Sequence, residues 1–328
     1  MVMLALRFDL RNPAFAGVSA ADRVQAAVDM VEWAEQRNGV MVSLSEHHGS
    51  DDGYLPSPIV LAAAIAGRTS TIRIGIGALI APFYDPIRLA EDLATLDNLS
   101  GGRVDITLAG GYVADEFAMF GVPSNERGRR TEEVVETLRN AWRGEPFEYR
   151  GTTVRVTPAP TRPGGPPIIL GGSSDAAARR AARIADGFIP SNPGCWDAYR
   201  DEVQRLGKPD PGPGMSMNGM VTTVLAEDPD AAWDELLPYF SHDMNTYGSW
   251  LEAAGMQGPY RTMTADELRA SGSYQVISPD AMVEELRAMG DFAFTMLHPM
   301  VGGIPPEKAW ESLHLFDEQV LPALAADA

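Results

Sequence analysis

The residues with the most chemistry in them stand in one run, Ser45-Glu46-His47-His48-Gly49-Ser50-Asp51-Asp52. A histidine exchanges a proton near neutral pH, and a flanking acid can fix which ring nitrogen carries it. Two adjacent histidines among acids also suggest a metal site. Neighbouring residues leaving a strand point in opposite directions, however, so His47 and His48 do not readily share an ion. The first strand also ends Arg7-Phe8-Asp9, without the His-x-His of barrel metal sites. The run therefore offers one acid/base histidine, the other being packed or solvated.

Three glycine-bearing segments could meet a ligand. Gly75-Ile76-Gly77-Ala78-Leu79-Ile80 imitates a dinucleotide fingerprint, but Ile80 replaces the third glycine and no helix opens there. Glycine inside a buried strand then means a bulge, the approach of a flat ligand, or crowding by a helix. Ala109-Gly110-Gly111-Tyr112 is a second such segment. The third, Gly171-Gly172-Ser173-Ser174, leads into a helical run, and free amides, hydroxyls and a helix start make an anion site. An ordinary serine cap explains the same residues, and Asp175 would repel an anion if it faced inward. A carboxylate introduced at Gly172 is expected to expel phosphate while leaving the fold intact. Arg127-Gly128-Arg129-Arg130 precedes Glu132, Glu133 and Glu136, a pattern of helical salt bridges from which one arginine could reach an anionic tail. Cys195 has no histidine beside it in sequence and reads as an unreactive thiol.

The elements that must position these groups alternate. Near-continuous apolar runs at 3–8, 40–44, 72–79, 104–108, 168–170, 187–190, 216–225 and 292–297 read as strands of a parallel sheet covered on both faces. Ser57-Pro58, Asp85-Pro86, Asp228-Pro229 and Ser278-Pro279 announce helices, each an N-cap oxygen before a proline. Ser19 with Asp22 opens the first helix, and Gly101-Gly102 ends the one begun at Asp85. Eight strands with helices between them predict an α/β fold, a (β/α)8 TIM barrel, as a single domain over 1–328. An insertion after strand seven, about 239–275, is expected to lie over the mouth. The small-residue run 61–66 and the stripe Leu89, Leu93, Leu96, Leu99 predict a homodimer contact.

Composition narrows the partners. A net charge of −19 over 328 residues argues against nucleic acid and anionic membranes. One cysteine excludes an internal disulfide and multi-Cys zinc sites. No apolar run reaches the ~18 residues of a membrane span, and no signal peptide is visible, which predicts a cytoplasmic protein.

Taken in order, EHHG, GIGALIAPFYDPIRLAEDLATLDNLSGGR, LAGGYVADEFAMFG and PPIILGGSS resemble the bacterial luciferase-like monooxygenases, and the likeness runs to the closing HPMVGGIPPEKAWESLHLFDEQVLP. The resemblance implies a barrel with a flavin across its C-terminal mouth, either reduced FMN or the deazaflavin coenzyme F420. It makes His47 the acid/base residue, and Gly77-Ala78 a bulge, often a non-proline cis peptide, that buttresses the ring. Ala109, Gly110, Gly111 and Tyr112 then meet the flavin tail, and Gly171, Gly172, Ser173 and Ser174 the phosphate. Gly110 stands where luciferase has a phosphate-gripping arginine. The glycines at 171 and 172 match the deazaflavin branch, whereas Glu-His-His matches the oxygen-using branch. The leading expectation is a monooxygenase acting on a small organic substrate with reduced FMN from a separate reductase. Alternatives are F420-dependent hydride transfer, a non-catalytic partner subunit and a metal-dependent barrel hydrolase.

Overall fold

The computed structural model describes residues 2–214 and 221–326. Strands β1 (Met3–Phe8), β2 (Gly39–Leu44), β3 (Arg73–Ile80) and β4 (Val104–Ala109) alternate with α1 (Ala20–Glu35), α2 (Pro58–Arg68) and α3 (Pro86–Ser100). After α4 (Ala114–Met119) and α5 (Arg127–Ala141) comes a hairpin of β5 (Phe147–Tyr149) and β6 (Thr152–Val154). Then follow β7 (Ile168–Gly172), α6 (Asp175–Ile184), β8 (Gly187–Pro190), α7 (Cys195–Arg205) and β9 (Thr222–Leu225). The chain ends through α8 (Pro229–Ala253), α9 (Ala265–Ser271), β10 (Tyr274–Ile277), α10 (Pro279–Ala288), β11 (Phe294–Leu297), α11 (Pro306–Leu315) and α12 (Leu321–Ala325).

Seven strands form one parallel sheet in the order β11-β1-β2-β3-β4-β7-β8. Pairing of the last strand with the first curls the sheet, and helices cover its outside. Leu4, Ala5, Leu6 and Phe8 on β1 are all buried, as expected of a strand covered on both faces. The expected seventh strand, β9, pairs in parallel with β10 instead of joining the ring. Its Leu225 N–H donates to Ser312 Oγ of α11 at 2.8 Å, and among the described residues no ladder joins β9 to β8 or β11. Residues 216–220 of the expected strand 216–225 lie outside the described residues.

The local signals act as read, with one exception. The side chains of Asp85, Asp228, Ser278 and Ser19 accept the capping amides, and Gly101 takes the left-handed C-cap at φ 65°. Ser57 precedes its helix without a side-chain cap bond. The boundary expected at 239 falls inside α8, an unbroken helix through Pro238. The apolar stripe assigned to a dimer contact is consumed by this chain's own core: Leu61, Leu89, Leu93 and Leu96 are buried, leaving Val60 and Leu99 exposed.

Candidate active site

The carboxyl ends of β2, β3, β4 and β7 bring the expected residues into one row. At the end of β2, Glu46 and His47 are buried and His48 is half-buried. Glu46 spends both oxygens on structure. Oε1 accepts from Tyr84 Oη at 2.7 Å and faces His48 Nε2 at 2.8 Å, and Oε2 accepts from the Ile80 amide at 2.7 Å. His47 turns the other way. Its Nδ1 lies 2.7 Å from Glu116 Oε1, which also accepts the His48 amide at 2.8 Å. The two histidines are thus held by different glutamates.

Around His47 stand Trp250 at 4.5 Å, Tyr54 at 4.9 Å, Tyr112 at 5.6 Å and Tyr247 at 5.9 Å between ring centroids. Three of those rings, Tyr54, Tyr247 and Trp250, also carry the Arg11 guanidinium at 4.6–4.9 Å. Arg11 is fully buried among Asp52 at 2.5 Å, Asp243 at 3.3 Å and Asp9 at 3.7 Å. Burial alone would lower its affinity for a proton, but Tyr247 and the three carboxylates keep it raised, so it stays charged. Burial also pushes the Tyr112 and Tyr247 hydroxyls far above the ordinary phenol range, Tyr247 adding to the effect at Tyr112. The aromatic wall is neutral.

On β3, the strand beside β2, begins a floor of glycines and small side chains. Gly77 and Ala78 are joined by a cis peptide bond, and the β3–β4 register shifts between Gly77 and Leu79. Gly77 is exposed although it lies in the middle of the sheet. A Cβ there would meet only Thr107 Oγ1, at 4.0 Å, so crowding by a helix does not explain the glycine. The strip continues across β4 to β7, since a Cβ on Gly171 would touch Thr107 Cγ2 at 3.5 Å and Ala109 Cβ at 3.9 Å. Gly111 turns the chain after β4 at φ 72°, where a side chain would strike Ile80 Cγ2 at 2.8 Å.

At the far end of the strip the expected anion loop is rearranged. Gly171 and Gly172 are the last residues of β7, paired with Ile189 and Pro190, and only Ser173 and Ser174 form the turn. Ser174 Oγ accepts the Ala177 amide as the cap of α6, at 3.3 Å. Asp175 faces Arg179 on its own helix at 3.6 Å, which removes it as an obstacle to an anion. Gly172 is needed for packing: its Cβ would lie 2.5 Å from Ala177 Cβ, so a carboxylate there would disturb the fold, contrary to the expectation. Beside Gly110, the aliphatic stem of Arg127 passes 3.9 Å from where a Cβ would sit. Arg129 and Arg130 are held by Glu126, while the exposed Arg127 makes no ion pair among the described residues. Arg127 is thus the free cation of that run.

Sequence reasoning did not find Glu116, Arg11 or Tyr54 as site residues, whereas Tyr247 and Trp250 lie within the segment expected over the mouth. Glu116 had a signal, an acid in a mouth loop, but nothing in sequence pairs it with a histidine 69 positions away. A separate cavity of 460 Å³ between β9 and α11, lined by Leu225, Leu236, Lys308 and His314 among others, contains none of these residues.

A curled parallel sheet with a histidine, an aromatic wall and a floor of glycines and small side chains at its carboxyl end defines an α/β enzyme. The chain belongs to the luciferase-like monooxygenase family, whose model matches residues 7–293. It is 24% identical over 275 residues to the oxygenase component of the flavin-dependent trigonelline monooxygenase of Acinetobacter baylyi, covering 78% of this chain and 73% of that one. It is 28% identical over 324 residues to the F420-dependent glucose-6-phosphate dehydrogenase of Nakamurella multipartita, covering 91% and 92%. Among solved structures, the monooxygenase RslO1 of Streptomyces bottropensis superposes with a TM-score of 0.73 at 27% identity, over 98% of this chain and 99% of that one. Several other relatives are matched over about half of their length. Among the described residues no helix is long and apolar enough to cross a membrane.

Proposed function

We propose that this protein is a monooxygenase of the luciferase-like family that uses reduced FMN, supplied by a separate reductase, to oxidise a small, largely apolar organic substrate. The observation that carries the reading is the exposed Gly77 in mid-sheet, continuous with Thr107, Ala109 and Gly171, because a flat ring needs a floor of glycines and small side chains. Gly77 and Ala78 would buttress the ring of the flavin. Ala109, Gly110, Gly111 and Tyr112 would flank its tail, and the β7 end with Ser173, Ser174 and Arg127 would receive the phosphate. When bound, the reduced flavin supplies electrons to dioxygen. The chain's own part is to bind, enclose and move a proton. His47 is the acid/base group, and Tyr54, Tyr112, Tyr247 and Trp250 keep water from the edge of the ring and line an apolar substrate seat.

The finer architecture belongs to the same reading. The ring closes as a (β/α)8 barrel through β9, and the segment 229–277, rather than 239–275, is the insertion that brings Tyr247 and Trp250 over His47. A homodimer would use the outer faces of α2 and α3, and the compartment is the cytoplasm.

F420-dependent hydride transfer is the second reading, favoured by the paired glycines at the end of β7. Titrating the apoprotein with FMN and with F420 separates the two, and binding of neither would remove both. With a substrate in hand, His47→Ala should lower turnover by roughly 10²-fold or more with cofactor affinity nearly unchanged. His48→Ala should cost less. The reverse order would mean that the other histidine does the chemistry.

A further inference from the structure

We propose that Glu116 is the positioning residue for His47, holding the ring proton on Nδ1 so that Nε2 is the nitrogen presented to the mouth. The inference rests on the reading of His47 as the acid/base group, but the geometry behind it does not.

An ionised carboxylate only accepts hydrogen bonds. With Glu116 Oε1 at 2.7 Å, Nδ1 must carry a proton, since the other neutral tautomer would aim a nitrogen lone pair at an oxygen lone pair. The carboxylate cannot turn away cheaply. Its Oε1 also accepts the His48 amide at 2.8 Å, and the side chain is 1% exposed, so water cannot replace either bond. Glu46 cannot substitute, because its oxygens are held by His48, Ile80 and Tyr84. No other group bonds the His47 ring among the described residues, so Nε2 is free for a substrate. Position and tautomer are therefore imposed together, by a residue from α4 on a residue at the end of β2.

The test is nitrogen NMR of the histidine rings in the ligand-free protein, with the His47 signals identified by their loss in His47→Asn. In the parent, the neutral His47 ring is expected as the Nδ1–H tautomer. In Glu116→Gln, which keeps the volume but can offer an N–H as well as an oxygen, the Nε2–H form should become populated. Turnover should fall by about 10-fold or more, since a ring in the wrong tautomer cannot exchange its proton at Nε2. Glu116→Asp, one methylene too short to reach both partners, should not restore the parent spectrum. An Nε2–H ring in the parent, or an unchanged spectrum in Glu116→Gln, would overturn the proposal. A changed spectrum with normal turnover would support it and discard His47 as the acid/base group.

Discussion

The hydroxyls of Tyr54 and Tyr247 lie 2.6 Å apart, and this bond ties the loop after His47 to α8. Both phenols are buried and far from ionising, so the bond is between neutral groups.

Tyr247→Phe should therefore cost about 1–3 kcal/mol, because Tyr54 keeps a buried hydroxyl without its partner. The same change loosens α8 over His47, and Trp250 fluorescence should become easier to quench. Unaltered urea unfolding together with unaltered quenching would mean that the hydroxyl pair holds nothing in place.

Arg11 supports more than its own position. Replacing it by Met leaves Asp52, Asp243 and Asp9 without their shared cation, and loss of one partner of a buried ion cluster typically costs about 3–5 kcal/mol. Adding Asp52→Asn should recover part of the loss. Denaturation curves of the parent, single and double variants decide it, and strict additivity would argue that the charges do not communicate.

Acid should weaken the fold through two of these carboxylates. Burial raises the proton affinity of Asp52, but the hydrogen bond with His242 and the Arg11 charge outweigh it and hold Asp52 below the usual carboxylate range. Asp9 is likewise lowered against its burial, chiefly by the charge of His298, whose Nε2 stands 3.5 Å away, too far for a good hydrogen bond. A depressed folded-state value gives stability that is complete above the unfolded value of about 3.9 and lost as the pH falls below it. Melting temperature should hold on acidification and drop steeply below about pH 4, less steeply in Asp52→Asn. A parallel decline in that variant would assign the acid sensitivity elsewhere.

Gly172 and Gly110 should behave oppositely. A methyl at Gly172 collides with Ala177, so Gly172→Ala should displace the start of α6 and cost about 1–3 kcal/mol. It should also weaken FMN binding. Gly110→Ala meets nothing nearer than 3.9 Å and should leave the melting temperature within a degree or two. Thermal melts with a cofactor titration on both variants check the pair, and equal effects would contradict the packing described at β7.

By itself the sequence determined what repeats locally. Near-continuous apolar runs marked β1, β3, β4 and β7, and oxygen-then-proline pairs marked the starts of α3, α8 and α10, because caps and strand composition are set within a few residues. It also assembled His47, Gly77 and Gly171 as members of one mouth, since parallel strands place their carboxyl ends on one side. Tertiary structure alone decided who meets whom. The Leu89–Leu93–Leu96 stripe carries the same pattern whether it faces a neighbour or its own core, and only packing buries it here. Gly172 reads as a loop glycine until Ala177 is brought against it. Glu116 reaches His47, and Asp243 reaches Arg11, across long stretches of chain. Periodicity tells which way a side chain faces, but the distance between two carboxyl-end loops is fixed only when the strands between them have paired and twisted.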